Sequence, residues 1–291
     1  MALTINTNIS SLVAQSNLAK ATSSLNKAIE RMTTGYKINS ASDNAAGYSI
    51  ARNWETQISS LDVAADNAVT GADMLTTLED TYALVTSHLQ RVRDLTEQAA
   101  NGTYGADSLE AIKSEITSRL EEVDRIAANC EFNGLNLMNG DITNAINLQV
   151  GTSSDSNSQI SLSATLFASS KTADLFKTYS GDNSLDSITD VATACAGSST
   201  TAAATLDKID KVIAEISKRT TTLGAAQNRI ESAIESIEVQ SENITSSLST
   251  IRDADIAEES SAYIQAQILQ QAAATLLSTA NQTPSIALNL I

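Results

Sequence analysis

The sequence is poor in aromatic residues, glycine and proline. Of its 291 residues, 3% are aromatic, 11 are glycine and one, Pro284, is proline. Alanine, serine, threonine, asparagine, glutamine, leucine and isoleucine dominate instead. This composition is unusual for a single globule, and it favours long helices that pack through small and aliphatic side chains.

Residues that commonly catalyse reactions or bind metals are also scarce. His88 is the only histidine, which excludes the His-Glu-x-x-His metallopeptidase motif, and its position beside an apolar seam favours a structural role. No glycine-rich phosphate loop and no pairing of a nucleophile with a base stands out in the sequence. We therefore expect no enzymatic activity, no cofactor and no metal site.

The two cysteines, Cys130 and Cys195, have neither the spacing of a zinc site nor that of a redox motif. Cys130 falls on the apolar stripe of a predicted helix, and we expect it to be a small core residue. Cys195 lies in a connector rich in serine and alanine, and we expect it to be exposed. The sequence does not decide whether the two cysteines form a disulfide.

The chain is strongly acidic, with a formal net charge of -16. This excess of acidic residues argues against binding to nucleic acid, which requires a basic protein surface, and against binding to anionic membrane surfaces. The first lysine is Lys20, so the basic start of a cleavable signal peptide is missing. Several glutamines and asparagines make the closing segment too polar to span a membrane. We therefore expect neither a nucleic-acid partner nor a membrane partner.

Both ends of this acidic chain are uncharged. Residues 2–19 and 260–291 contain no Lys, Arg, Asp or Glu, yet each end has a helical stripe of alanine and larger apolar residues. Burying an unpaired charge is very costly. We therefore interpret the two uncharged ends as segments that pack against other copies of the same chain. The residues that we expect to carry this self-assembly are Leu18, Leu25, Met32, Leu269 and Leu276.

Apolar periodicity predicts three further helices. Over residues 54–75, apolar residues are spaced alternately four and three positions apart, which predicts a helix over residues 44–100. The two glycines in NGTYG, residues 101–105, predict a turn between helices. Similar stripes cover residues 109–130 and 223–255. Since helices matched in pattern and length should pack together, we expect the N- and C-terminal segments to form a long antiparallel helical bundle.

The middle of the chain loses the helical period. The segments NLQVG and QISLS alternate polar and apolar residues around a connection rich in serine, asparagine and aspartate, which predicts a β-hairpin. The segment TACAGSSTTAAAT is expected to be a low-complexity connector before the returning helix. The predicted fold class is therefore mainly α, with a long antiparallel bundle or coiled coil and a small β-hairpin region in the middle.

Several separated motifs resemble bacterial flagellin in the order that this family has them. INTNISSLVAQSNL and TTGYKINSASDNAAGYSIA resemble the opening helix and its connecting segment. LQRVRDLTEQAANGT and EITSRLEEVDRIAANCEFNG resemble the first helices of the core domain. LGAAQNRIESAI and IRDADIAEESSAYIQAQILQQAAATLLSTANQ resemble the returning helix and the terminal helix.

The resemblance implies a two-layered architecture without large variable outer domains. An inner terminal-helix domain would line the core of a filament, two connecting spokes would lead outward, and an outer helical domain would carry the hairpin. The implied limits are 1–33 plus 256–291 for the inner domain, 34–45 and 252–255 for the spokes, 46–162 plus 202–251 for the outer domain, and 163–201 for a short variable connector.

The resemblance also implies a receptor-binding surface. Flagellins are recognised by Toll-like receptor 5 at the position of Gln90-Arg91-Val92-Arg93-Asp94-Leu95. Matching the motif residue by residue places the receptor contacts on Gln90, Arg91, Leu95 and, from the next helix, Glu115. We expect Arg91 and Leu95 to flank Val92 on the outward side of their helix.

A structural role follows from the same resemblance. The chain would self-assemble into the extracellular flagellar filament that drives swimming. Its other partners would be the hook-associated junction and cap proteins, an export chaperone and the flagellar type III export apparatus.

Two alternative functions remain at this stage. A hook–filament junction protein has related terminal helices, but it should lack both the QILQQAAATLLSTANQ ending and the LQRVRDLTEQAANGT motif. A coiled-coil signalling module would form one continuous hairpin with charged flanks, which the strand-like middle and the uncharged ends argue against.

Overall fold

A computed structural model describes residues 7–179, 184–185 and 187–288, with side chains described as far as residue 282. This part of the chain is mainly helical. Its described residues form two pairs of antiparallel strands, β1 (Glu131–Phe132) with β2 (Leu135–Asn136), and β3 (Ile146–Gln149) with β4 (Gln159–Leu162). The predicted fold class, mainly helical with a small β-hairpin region in the middle, is therefore confirmed. The helices are α1 (Ile9–Thr34), α2 (Ala45–Ala100), α3 (Ala106–Asn129), α4 (Thr172–Tyr179), α5 (Ile188–Cys195), α6 (Ser199–Arg252) and α7 (Ile256–Leu288).

The bounds of the long helices follow local capping signals. Gly47 donates its backbone N–H to the side chain of Asn44 at 3.0 Å, which caps the start of α2. The helix ends at the predicted NGTYG turn. The stripe predicted to reach Asp255 stops earlier, because the Asp255 carboxylate accepts the N–H of Ala257 at 2.8 Å and so caps α7 instead.

The chain divides into two compact units. One unit is formed by residues 1–59 and 241–291, of which 1–6 and 289–291 lie outside the described residues, and the other by residues 60–240. The domain limits that the resemblance implies are finer than this division and stay a prediction.

The 60–240 unit has a core made by the periodic stripes of α2, α3 and α6. Buried side chains of α2 recur at helical spacing through Leu78, Tyr82, Val85, Leu89 and Val92. The buried faces of the other two helices include Ile116, Leu120 and Val123 of α3 and Ile209, Val212, Ile216 and Leu223 of α6.

The predicted hairpin is confirmed and packs against α2. Strands β3 and β4 pair antiparallel, with Leu148 opposite Ile160. Gly71 of α2 provides the space, because a Cβ there would lie 2.4 Å from Leu148 Cδ1. The side-chain amide of Asn67, one turn earlier, donates to the backbone oxygen of Gln149 at 3.3 Å. Glycine in the helix thus allows the hairpin to approach α2 closely.

Residues 193–205, expected to be a low-complexity connector, hold the end of α5 and the start of α6. The short variable connector implied for residues 163–201 is likewise folded over much of its described length. Helices α4 and α5 lie in it, and Phe167, Phe176, Val191 and Cys195 are among its buried side chains. The expectation that Cys195 is exposed is wrong, because it lies on the apolar face of α5. Cys130 is buried as predicted, and both thiols are free.

A buried arginine of α6 holds this folded segment. Arg219 is 3% exposed and donates to the backbone oxygen of Ala168 at 3.0 Å, the Ser170 hydroxyl at 3.2 Å and the Tyr179 hydroxyl at 2.8 Å. Its guanidinium also lies over the Tyr179 ring, 5.2 Å from the centroid, and its Nε lies 3.6 Å from Glu215. The planar guanidinium therefore satisfies acceptors at both ends of the segment 168–179.

Candidate functional site

Helices α1 and α7 form an antiparallel pair that carries the predicted self-assembly residues. Polar contacts tie the two helices together at several levels along their length. They are Asn8 Nδ2 to the Ala280 oxygen at 2.7 Å, Ser11 Oγ to Asn281 Oδ1 at 2.7 Å, Gln270 Nε2 to Thr22 Oγ1 at 3.1 Å, and Arg31 Nη1 to Glu259 Oε1 at 2.9 Å. From Ser11 through Thr22 to Arg31, steps of 11 and 9 residues along α1 are matched by two steps of 11 residues toward the start of α7, so these contacts share one register.

The surface between the two helices is lined by small side chains. Ala14, Ala21 and Ala28 of α1 are buried at intervals of seven residues, as are Ala266 and Ala273 of α7. Alanine allows the helix backbones to approach closely, but it buries little apolar area. The pairing of α1 with α7 therefore uses few of the large apolar residues that these helices contain.

Large apolar side chains of the same pair are instead exposed. A groove of about 670 Å³ runs along it, lined in part by Ala21, Ala273, Leu269 and Leu276. Exposed apolar patches of this kind mark surfaces that bind other molecules. The residues exposed by 50% or more are Ile9, Leu12, Val13, Ile256, Ile264, Ile268, Leu269 and Leu276.

The structure separates the predicted self-assembly residues into two groups. Leu18, Leu25 and Met32 are partly buried in the surface between α1 and α7. Leu269 and Leu276 are 54% and 63% exposed and lie outside that surface. The sequence analysis did not identify three other residues of α7 that are partly buried and alternate with the buried alanines, namely Tyr263, Gln270 and Leu277.

The segment after α1 is fixed by an arginine at the end of α6. Gly35 adopts a positive φ of 74°, which ends α1. Tyr36 then forms a β-bridge with Asp253, and the Arg252 guanidinium lies over the Tyr36 ring, 4.0 Å from its centroid. Arg252 also pairs with Glu55 of α2. These contacts connect the end of α6 with α2 and with the segment that follows α1.

An aspartate in the following turn is held in its charged form. Lys27 of α1 lies 2.8 Å from Asp43, and its ammonium group, together with the backbone N–H groups of Ser40 and Asn39, holds the pKa of the Asp43 carboxyl well below its ordinary value. The ion pair therefore links α1 to the turn before α2.

The predicted receptor residues are only partly brought together. Gln90 and Arg91 are exposed on α2, and Arg91 Nη2 lies 2.9 Å from Glu115 Oε1 of α3. Arg119 approaches the same carboxylate at 3.8 Å. The expectation that Leu95 faces outward is wrong, because it is 2% exposed. Leu95 follows the buried Val92 by three residues and so lies on the same inward face.

Other kinds of site find little support within the described ranges. No group of three His, Cys, Asp or Glu side chains among the described residues is arranged to hold a metal ion. No helix in the described part of the chain is long and apolar enough to cross a membrane. His88 is partly buried, with an Nδ1 atom that has no hydrogen-bond partner.

Long helices near both ends of the sequence, short strand pairs between them and a terminal helix pair with exposed apolar faces define a mainly helical protein with an unfilled apolar surface. The sequence model of the bacterial flagellin N-terminal helical region matches residues 5–143, and that of the C-terminal helical region matches residues 206–291. The chain belongs to the bacterial flagellin family. Residues 144–205 lie between the matched regions, and the chain lacks the large outer domain.

Curated relatives support this assignment over part of their length. The flagellin of Xenorhabdus nematophila is 44% identical over 151 residues, which are 52% of this chain and 48% of that protein. The phase 1 flagellin of Salmonella naestved is also 44% identical over 151 residues, which are 30% of its length. The chain thus matches half or less of each relative. Flagellins are structural proteins, and homologues form the extracellular flagellar filament.

A solved structure shares the fold. A proposed flagellar hook-associated protein from Vibrio parahaemolyticus superposes with a TM-score of 0.61, covering 72% of this chain and 100% of that one. It is 15% identical in sequence, so the similarity concerns the fold alone.

Proposed function

We propose that the chain is a structural subunit that self-assembles into the extracellular flagellar filament. The main supporting observation is the distribution of side chains in the α1–α7 pair, where alanines are buried and isoleucines and leucines are exposed. A pair of helices arranged in this way leaves most of its apolar surface in contact with water. Other copies of the chain would remove that surface from water.

The proposed subunit has an inner and an outer part. We assign residues 1–33 and 256–291 to an inner domain in the filament core, although the first six and last three residues lie outside the described part. The end of α1 at Thr34 and the start of α7 at Ile256 support these limits. The proposed spokes are 34–45 and 252–255, the outer domain is 46–162 plus 202–251, and the connector is 163–201.

The proposed partners follow from membership of the family. Copies of the chain are the main partner, and hook-associated junction and cap proteins would contact the ends of the filament. An export chaperone and the flagellar type III export apparatus would deliver the chain to the cell exterior. A role as a hook–filament junction protein is the alternative, because a hook-associated protein shares the fold; the match to flagellins in sequence favours the filament.

Assembly of the purified chain tests the proposal. We expect full-length protein to form long tubular filaments when ammonium sulfate is added, since sulfate strengthens the burial of apolar surface. Ultracentrifugation would measure the polymer, and negative-stain electron microscopy would show its form. Protein that stays monomeric at all concentrations and salt levels, also in the presence of short filament fragments as seeds, would contradict the proposal.

We also propose that the unassembled chain binds Toll-like receptor 5 through Gln90, Arg91 and Glu115. The ion pair between Arg91 and Glu115 supports this, because it holds an exposed guanidinium between two helices, next to Gln90. An arginine fixed in this way is a common anchor of protein interfaces. Leu95 would act only indirectly, by packing under this surface.

Truncation of Arg91 is expected to weaken receptor binding. By the usual size of interface anchors, Arg91→Ala should cost about 2 kcal/mol, or roughly a thirtyfold rise in Kd. Binding of the monomer to the receptor ectodomain can be measured by surface plasmon resonance. Arg125→Ala, which removes another exposed arginine that pairs with a glutamate of α3, is the matched control. Equal affinity of wild type and Arg91→Ala would remove this surface as the receptor site.

A further inference from the structure

The apolar surface between α1 and α7 does not by itself define how the two helices align. Its buried alanines recur every seven residues on both helices. If α7 slid by seven residues along α1, alanine would again face alanine over most of the length. The apolar contacts of the shifted pair would therefore resemble those of the observed pair.

We propose that the ion pair between Arg31 and Glu259 sets the register of α1 against α7. Glu259 is 8% exposed, although it carries a charge, and its carboxylate accepts from Arg31 at 2.9 Å. A single buried polar contact in an apolar helix pair is a known means of fixing register. This inference deepens the proposed filament function, on which its consequence for assembly rests.

A shifted register separates the carboxylate from Arg31. Seven residues before Arg31 the helix carries Ser24, and seven residues after Glu259 it carries Ala266. In one shift Glu259 faces Ser24 and Arg31 lies beyond the start of α7, and in the other Arg31 faces Ala266 and Glu259 lies beyond the end of α1. Breaking a buried ion pair is strongly unfavourable, so its loss disfavours both shifts, in addition to the loss of the Ser11–Asn281 and Thr22–Gln270 contacts.

A second cation of the groove-lining face of α1 is already engaged. Lys27 lies one turn before Arg31 and also lines the groove. It is bound at 2.8 Å by Asp43, which also accepts from backbone N–H groups of its own turn. Asp43 thereby keeps Lys27 from pairing with Glu259 in a register shifted by one turn. The two ion pairs together favour the observed alignment over a shift of one turn.

Cysteine cross-links in the full-length chain measure this register. Ser11→Cys with Asn281→Cys reports the observed alignment, because the native side chains at these positions are in contact. Two further pairs report shifts of seven residues in either direction, namely Ser11→Cys with Ala274→Cys and Leu18→Cys with Asn281→Cys. The native thiols are buried and can remain. After mild oxidation, mass spectrometry quantifies each disulfide.

We expect the wild-type background to form only the disulfide of the observed register. Glu259→Lys should reduce it by about tenfold or more and raise the shifted products. The exchange of both charges, Arg31→Glu with Glu259→Arg, should restore it. Glu258→Lys makes the same change at the exposed neighbouring residue and should leave the pattern as in wild type.

Two results would overturn the inference. One is an unchanged cross-link pattern in Glu259→Lys. The other is loss of all cross-links in Glu259→Lys without recovery in the exchanged variant, which would mean that the helices need Glu259 for a reason other than register. Sedimentation of the same samples reports assembly separately. A wild-type chain that gives the expected disulfide but no polymer would refute the filament function and leave the register intact.

Discussion

Leu276→Asp is expected to abolish assembly while the 60–240 unit stays folded. Leu276 is 63% exposed on α7 and lines the groove along the α1–α7 pair. In the proposed filament this side chain is covered by another copy, so the variant would bury an unpaired carboxylate at every subunit. An effective cost of about 3 kcal/mol or more per subunit would raise the critical concentration by more than about a hundredfold.

The measurement is the amount of pelleted polymer as a function of protein concentration. Circular dichroism at a concentration below assembly checks that the helices remain. Gln267→Asp introduces the same charge on the same helix at another exposed position, on the face lined by glutamine and serine, and should still assemble. Normal polymer from Leu276→Asp would show that this apolar face is not an assembly surface.

Arg219→Ala is expected to destabilise the 60–240 unit strongly. Its removal takes the guanidinium donors away from the oxygens of Ala168, Ser170 and Tyr179, although the Ala168 oxygen keeps the Ser170 hydroxyl as a donor at 3.4 Å. Unsatisfied buried acceptors and a lost buried ion contact together should lower the free energy of unfolding by about 3 kcal/mol. Urea denaturation followed by circular dichroism would measure the change.

Two neighbouring variants make this experiment specific. Lys218→Ala removes an exposed lysine that approaches the same Glu215 and should change the free energy of unfolding by less than about 0.5 kcal/mol. Arg219→Lys keeps the charge but cannot reach three acceptors at once, and should fall between wild type and Arg219→Ala. If Arg219→Ala and Lys218→Ala were equally stable, the arginine would have no role in holding the segment 168–179.

The long helices could be predicted because their apolar pattern extends over many turns. The helix expected over residues 44–100 is observed as Ala45–Ala100, since apolar residues spaced by three and four positions continue along most of its length. The hairpin could be predicted because β3 and β4 each alternate over four residues. Where a period is sustained, tertiary packing and local preference agree.

Short helices, and helices with apolar residues on several faces, could not be predicted in the same way. Helices α4 and α5 have eight residues each, too few to show a period against a background of serine, threonine and alanine. In α7, apolar residues lie around most of the helix, so the sequence does not show which face meets α1. Leu276 and Ala273 differ in exposure only because the partner helix covers one of them.

The burial of Arg219 was also beyond sequence analysis. Its partners include the backbone oxygen of Ala168 and hydroxyl groups about forty or more residues away in the chain. Because these partners are uncharged and distant in sequence, no pattern of charged residues indicates the contact. The inward position of Leu95 had a signal, because its three-residue spacing from Val92 continues the buried stripe. The prediction instead grouped Leu95 with Arg91, four residues earlier, on the outward side of the helix.

The burial of both cysteines has a chemical consequence for a protein outside the cell. Burial raises the pKa of the Cys195 thiol to about 11 and also raises the pKa of the Cys130 thiol. Since the thiolate is the reactive form, about one Cys195 in ten thousand is ionised at neutral pH. Oxidants and maleimide reagents therefore react with these residues only when the surrounding helices open. The rate at which the native thiols are labelled thus measures how often the 60–240 unit unfolds.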